Sequence, residues 1–252
     1  MNTVSIGSVI LGEGRPKICV PLVERTSASL LSRARLCPES AADLIEWRAD
    51  WYDDIEQEDI TADLLPQLRD VLGGFPLLFT FRTKPQGGER ELAPEAYENL
   101  LTSVIASGNI DAVDVELTMP EESIRRLIAL AHAHHTVIIL SHHDFTQTPS
   151  QEEILSFLTR MDALGGDIAK IAVMPRSEED VLALLSATLQ ARHNLSCPVI
   201  TMAMGSMGLI SRLSGETFGS CLTFGTIGQT SAPGQIDAGQ LRTVLDVIHG
   251  AM

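Results

Sequence analysis

From residue 17 to the C-terminus the chain alternates between two hydrophobic patterns. Short apolar runs rich in β-branched and aromatic residues are each followed by a longer segment in which apolar positions recur every three to four residues. KICVPLV (17–23) precedes SASLLSRARL, DLIEWRAD (43–50) precedes TADLLPQLRDVLG, and PLLFTFRT (76–83) precedes APEAYENLLTSVIASG. AVDVEL (112–117), TVIILSHHDF (136–145), DIAKIAVMP (167–175), PVITMAMG (198–205) and CLTFGTIG (221–228) open five further units of the same kind. The first pattern predicts strands and the second helices. Ser150 with Glu153 and Ser177 with Asp180 read as helix-capping pairs, Pro120 suits a first turn, and Gly108 and Gly165 suit helix ends. Eight strand–helix units with no linker between them predict one (β/α)8 barrel, a TIM barrel, as a single domain over residues 1–252. A doubly wound open sheet is the alternative, but it seldom needs eight equal repeats. Residues 3–12 are expected to form a hairpin that plugs the N-terminal end of the barrel.

Polar residues within the predicted strands fall on one parity. Side chains alternate faces along a strand, so Glu46 and Arg48 share a face, as do Thr80 and Arg82, Asp114 and Glu116, and Ser141 and His143; Lys170 joins them. The opposite parity carries Ile45, Trp47, Phe79, Phe81, Val113 and Val115. In a barrel the apolar set faces the helices and the polar set points inward, near the C-terminal strand ends where active sites of this fold lie. Taken alone, Asp114 or Glu116 reads as a solvated strand end. The same polarity on five consecutive strands reads as a site.

Lys170 lies inside the apolar run IAKIAVMP, where an ammonium ion is costly to bury. With an ordinary pKa of about 10.4, under about 0.1% of a lysine is neutral at pH 7. Apolar walls and cations such as Arg48 or Arg82 would lower that pKa, while carboxylates would oppose the shift. A lowering of about three units, roughly 4 kcal/mol, gives a usable nucleophile whose natural product is an imine with a ketone. The alternative is a structural pairing with Glu46 or Glu116. His143 shares the inward parity and suits proton transfer, whereas His142, on the other face, is read as structural. AHAHH (131–135) shows no further metal ligands and is read as a solvated helix end. Gly87 and Gly88 in KPQGGE are expected to give a flexible loop rather than a phosphate cradle. GQTSAPGQI (228–236) is in the right place for a lid, or is only a mobile connection, and Met202 and Met204 are read as core or pocket wall.

Composition narrows the setting. The net charge of −15 argues against a nucleic-acid or anionic-membrane partner, so an anionic substrate would need local cations. No apolar run approaches a membrane span, and MNTVSIGSVILGEGRPK has neither the basic start nor the cleavage pattern of a signal peptide. Four scattered cysteines with no CxxC pair suit reduced thiols and a cytoplasmic location.

EWRAD, TFRT with the following GGE, SHHDF, DIAKIAVMP, GLISRLSGE and SAPGQ, in that order, resemble the type I 3-dehydroquinate dehydratases from KICVPL to the final helix. The resemblance implies a (β/α)8 barrel, commonly a homodimer, that converts 3-dehydroquinate to 3-dehydroshikimate in the shikimate pathway without metal or organic cofactor. It also implies that Lys170 forms the imine and His143 is the general acid/base. Glu46 and Arg48 then hold substrate hydroxyls, while Arg82, Arg212, Ser231 and Gln235 engage the carboxylate and close the lid. Two positions depart from the pattern. Gln86 stands where the family often has a glutamate that works with the histidine, and Pro21 stands where some relatives present serine. The expectation for Gln86 is that it orients His143 or the substrate while His143 alone carries the protons. Another lysine-imine barrel, such as an aldolase or transaldolase, is disfavoured by the absence of an evident phosphate loop. A non-catalytic carboxylate-binding barrel is disfavoured by the presence of both Lys170 and His143.

Overall fold

The computed structural model describes residues 2–57 and 59–252. Strands β1 (Val4–Ile6) and β2 (Val9–Leu11) pair antiparallel around a turn at Gly7, whose φ is +55°. Eight parallel strands follow: β3 (Lys17–Leu22), β4 (Leu44–Arg48), β5 (Leu77–Thr80), β6 (Ala112–Glu116), β7 (Val137–Asp144), β8 (Ile168–Val173), β9 (Val199–Ala203) and β10 (Leu222–Phe224). Their order, β10-β3-β4-β5-β6-β7-β8-β9, is sequential around the sheet. The Cys221 N–H donates to the Val199 carbonyl at 2.9 Å and the Lys17 N–H to the Cys221 carbonyl at 3.0 Å, so the two outer strands meet and the sheet closes. This is the (β/α)8 barrel the repeats predict.

Helices α1 (Ser27–Ala34), α2 (Leu64–Leu72), α3 (Pro94–Ala106), α4 (Glu121–Ala133), α5 (Gln151–Leu164) and α6 (Glu178–Asn194) return the chain between strands. Beyond β9 come the short α7 (Leu209–Leu213) and α8 (Gly215–Phe218), and α9 (Ala238–Gly250) ends the fold. Ser150 and Ser177 cap α5 and α6 through reciprocal bonds with Glu153 and Asp180, as their spacing predicts. Three boundaries differ from the periodicity. α2 begins only at Leu64, because Asp59 accepts from the backbone of Thr61 and Ala62 and holds that stretch in a turn. Pro120 is the cap of α4 rather than a first-turn residue. LISRLSGETFGS is two helices, not one: at Gly215 a Cβ would lie 2.6 Å from the Ser220 carbonyl oxygen, and only glycine allows that approach.

Alternation along the strands separates two apolar layers. Outward residues pack under the helices; Trp47 stands edge-on to Phe79 with ring centroids 5.4 Å apart. Inward residues form a second cluster at the N-terminal end, where Leu44, Leu78, Ala112, Ile139 and Ile168 meet Ile6 and Leu11 of the hairpin. The hairpin therefore plugs the barrel. Two residues further along each strand the same inward face becomes polar, at Glu46, Thr80, Asp114, Ser141 and Lys170. The apolar floor shuts water out from below and leaves the polar layer open only toward the C-terminal strand ends. No helix among the described residues is long and apolar enough to cross a membrane.

Candidate active site

Lys170 is 3% exposed and lies in that layer, paired in register with Ser141 on β7 and Ile200 on β9. Its Nζ donates to Asp114 Oδ2 at 3.0 Å, lies 3.9 Å from Glu46 Oε1, and sits 4.8 Å from the centroid of the Phe224 ring. Carboxylates and an aromatic face therefore surround the amine: Glu46 is a partner the alternative reading named, Asp114 is one it did not, and the suggested cations Arg48 and Arg82 are themselves held by carboxylates. Asp114 also accepts from Arg82 Nη2 at 2.7 Å and Ser141 Oγ at 2.6 Å. Burial alone would push the Asp114 carboxyl up. The charges of Arg82 and Lys170 and the hydrogen bonds from Ser141 and Arg82 outweigh burial and hold it at about 2. Sequence reasoning counted Asp114 among the inward residues but gave it no role; its parity shared with Lys170 was the available signal.

Two further carboxylates, Asp50 just beyond β4 and Glu116 at the end of β6, hold the arginines and the loop after β5. Asp50, fully buried, receives Arg48 through Nε and Nη2, both at 2.8 Å. The same carboxylate accepts from the backbone N–H groups of Arg82 and Glu89. Burial opposes the Arg48 charge, but Asp50 more than restores it and raises the guanidinium pKa above its ordinary value. Glu116 accepts from Arg82 Nη1, the Thr83 N–H and the Thr83 hydroxyl. The segment 82–89 is thus clamped from both ends, and KPQGGE is not the slack loop expected of a double glycine. Lys84–Gln86 forms one 3-10 turn, and Gly87 follows in the left-handed region at φ +85°. A Cβ on Gly88 would overlap the Arg82 carbonyl oxygen, and one on Gly87 would overlap the Phe145 ring. Gly88→Ala is expected to lower stability by about 1–3 kcal/mol, and turnover along with it, because the Arg82 backbone must shift. Thermal melts alongside initial rates check this, and an unchanged rate would show that the close approach is not needed.

His143 projects from β7 into the pocket. Gln86 does reach it, but through the backbone: Gln86 Oε1 accepts from the His143 N–H at 2.7 Å, and the buried ring Nδ1 has no hydrogen-bond partner. Burial, then the charges of Arg82, Lys170 and Arg48, drive the His143 pKa well below its ordinary value. That direction favours the neutral ring at pH 7. His142, on the opposite face, stacks on Phe157 with centroids 4.4 Å apart, in keeping with a structural role. His132, on α4, is paired with Asp167 at 3.1 Å.

Arg212 differs from the other arginines of the pocket. Arg48 is held by Asp50 and Arg82 by Asp114 and Glu116, but Arg212 has no carboxylate partner among the described residues. It is 2% exposed, its Nε is unbonded, and among the described residues its guanidinium donates to the Met202 sulfur at 3.8 Å and the Pro233 carbonyl at 3.1 Å. Burial lowers its pKa to about 10, which leaves it charged at pH 7. The segment 228–236 folds back over it. Ser231 N–H donates to Gln235 Oε1 and Gln235 Nε2 to Ser231 Oγ, both at 2.9 Å, so this loop is internally bonded. The pocket opens to solvent on one side, spans about 460 Å³ including that open space, and is lined by all nine residues the resemblance assigned to the site: Glu46, Arg48, Arg82, Gln86, His143, Lys170, Arg212, Ser231 and Gln235. Met202, Met204 and Phe224 form its apolar wall. Pro21 does not line it.

Known proteins match along the whole length. The sequence profile described as type I 3-dehydroquinase matches residues 18–252. A 3-dehydroquinate dehydratase of Listeria welshimeri is 48% identical over 249 residues, which is 99% of each chain. Among solved structures, the type I 3-dehydroquinate dehydratase of Clostridium difficile with covalently modified comenic acid superposes with a TM-score of 0.96 at 42% identity, covering 100% of both chains. That of Geobacillus kaustophilus gives 0.95 at 38% identity and 99% coverage of each. A closed eight-stranded barrel, a buried lysine among carboxylates and matches that cover nearly the whole chain in sequence and backbone agree: the chain belongs to the type I 3-dehydroquinase family.

Proposed function

We propose that the chain, as one catalytic domain over residues 1–252, dehydrates 3-dehydroquinate to 3-dehydroshikimate in the shikimate pathway through an imine at Lys170. The observation that carries this reading is the grouping, in one pocket floored by apolar residues, of a buried amine, a neutral imidazole and an unpaired guanidinium. The relatives named 3-dehydroquinate dehydratase support the substrate.

Lys170 Nζ gives a proton to His143, its freed electron pair adds to the ketone carbon, and the carbonyl oxygen, taking one proton from nitrogen and the one held by His143, leaves as water. The protonated imine then acidifies the adjacent C–H. His143 takes that proton, and the C–H pair flows through a new C=C bond onto nitrogen. In the next step the enamine returns its electrons, the β C–O bond breaks, and His143 gives its proton to the departing hydroxyl. Water finally hydrolyses the imine. Glu46 and Arg48, rigid through Thr80 and Asp50, hold substrate hydroxyls. Arg212 receives the substrate carboxylate, Ser231 and Gln235 close over it, and Arg82, already fixed by two carboxylates, faces it across the pocket. The appearance of conjugated enone absorbance on adding 3-dehydroquinate to the purified chain tests this reading. Carbon–carbon cleavage instead would give it to the aldolases.

Two variants separate the roles. Arg212→Met is expected to weaken substrate binding about a hundredfold, as loss of a buried charged partner does, with a smaller effect on kcat. Equal losses in kcat and kcat/KM would take the carboxylate away from Arg212. Gln86→Glu would place an anion at the His143 backbone N–H, where its charge would favour imidazolium and raise the histidine pKa. The neutral base would then be lost at higher pH, so the acidic limb of kcat/KM should move upward. An unmoved limb, measured from about pH 5 to pH 9, would remove position 86 from the control of His143.

A homodimer in the cytoplasm completes the proposal. Leu182 and Leu189 on α6 and Ile210 on α7 leave apolar surface for a second copy, and all four cysteines are free and buried.

A further inference from the structure

We propose that Asp114 is the fixed counter-anion of the imine nitrogen, holding it protonated on the alkaline side of the working range. This rests on the imine at Lys170 proposed above. Asp114 is 0% exposed and its Oδ2 lies 3.0 Å from Nζ, the atom that becomes the imine nitrogen. Its Oδ1 is held by Arg82 and Ser141, so the carboxylate cannot turn away when the amine reacts.

The charge balance gives this contact its meaning. An ammonium and a ketone yield a protonated imine and one water, so the positive charge at Nζ is the same before and after. Asp114 matches that charge in both states. When the α-proton leaves and the enamine becomes neutral, Arg82 still balances Asp114, and the anion is not left buried alone. With its pKa held at about 2, Asp114 acts as a charge and not as a base, the complement of the neutral His143.

The other titratable groups facing Nζ do not supply this function. Glu46 is 3.9 Å away, accepts from Thr80 Oγ1 and fronts the pocket where substrate enters. Cys19, below on β3, has a thiol pushed well up by burial and is neutral. Arg48, Arg82 and Arg212 are cationic and would drive the proton off an imine, and the neutral ring of His143 supplies no anion to hold it.

Cyanoborohydride delivers hydride to the carbon of a protonated imine, and the C=N π pair goes to nitrogen; borohydride traps imine at either charge. The test incubates the intact chain with 3-dehydroshikimate and either reagent from about pH 5 to pH 10, reading the Lys170 adduct by mass spectrometry. The ratio of cyanoborohydride to borohydride adduct at each pH reports the protonated fraction. In the unaltered chain that ratio should hold to higher pH than for the imine of butylamine with the same ketone in water. In Asp114→Asn the midpoint should fall by at least about one pH unit. A protein midpoint equal to that of butylamine, or one unmoved in Asp114→Asn, overturns the proposal. If Asp114→Asn does not fold, the comparison of the unaltered chain with butylamine decides alone. Failure of borohydride to label Lys170 at any pH would sink the imine reading itself, a result distinct from labelling with an unshifted midpoint.

Discussion

Lys170→Met should turn over 3-dehydroquinate at least about a thousandfold more slowly than the unaltered chain, because it removes the covalent route and not merely a contact. Methionine fills most of the lysine's volume, so the packing against Phe224 survives. What is lost is the ammonium between Asp114 and Glu46. Arg82 and Ser141 continue to satisfy Asp114, and Thr80 continues to satisfy Glu46, so the variant should fold. Arg212 and the 228–236 loop are untouched, and affinity for the substrate carboxylate should change by less than about tenfold. A folded Lys170→Met chain retaining a tenth of normal turnover would refute covalent catalysis at this position.

His143→Ala should cost at least about a hundredfold in turnover, the usual range for a general acid/base, while ligand affinity changes far less. The structural basis is the ring's depressed pKa. Burial and the charges of Arg82, Lys170 and Arg48 keep imidazole neutral, so its acidic limb should lie below the ordinary histidine value of about 6.5. The sign follows from the cause: those cations oppose imidazolium, the base stays available as pH falls, and activity is lost only once the lowered pKa is passed. Among the described residues no carboxylate bonds the ring: Nδ1 is without a partner and Gln86 holds the backbone instead. Near-normal turnover of His143→Ala at any pH between about 6 and 9 would remove the histidine from proton transfer.

The parity of the strands was the most legible feature of the sequence. Glu46 with Arg48, Thr80 with Arg82 and Ser141 with His143 all face the barrel interior because a strand has no other way to place alternate residues. Helix capping at Ser150 and Ser177 was equally local, and it too could be read directly. Partner choice was not local. Whether Lys170 meets arginines or carboxylates depends on the stagger of five strands, and that stagger sets Asp114, not Arg48, beside Nζ. The function of Asp50 was hidden for the same reason, since the backbone it holds lies more than thirty residues away. The double glycine misled because glycine serves both mobility and close approach; only the position of the Arg82 carbonyl and the Phe145 ring distinguishes the two. Arg212 was placed by resemblance alone. Its unbonded Nε now gives a physical reason, independent of that resemblance, to expect an anion there.

Lys170 is expected to bond covalently to the substrate ketone. The chain has only three lysines, Lys17, Lys84 and Lys170, so the location of an adduct can be decided without ambiguity. Lys17 begins β3 at the floor end of the barrel, and Lys84 lies on the 3-10 turn outside the pocket lining. Borohydride added during turnover, followed by proteolysis and peptide mass spectrometry, should find one reduced ligand on the peptide containing Lys170 and none on the other two. An adduct on Lys17 or Lys84, or an unmodified Lys170 under conditions where the enone is still formed, would contradict the account.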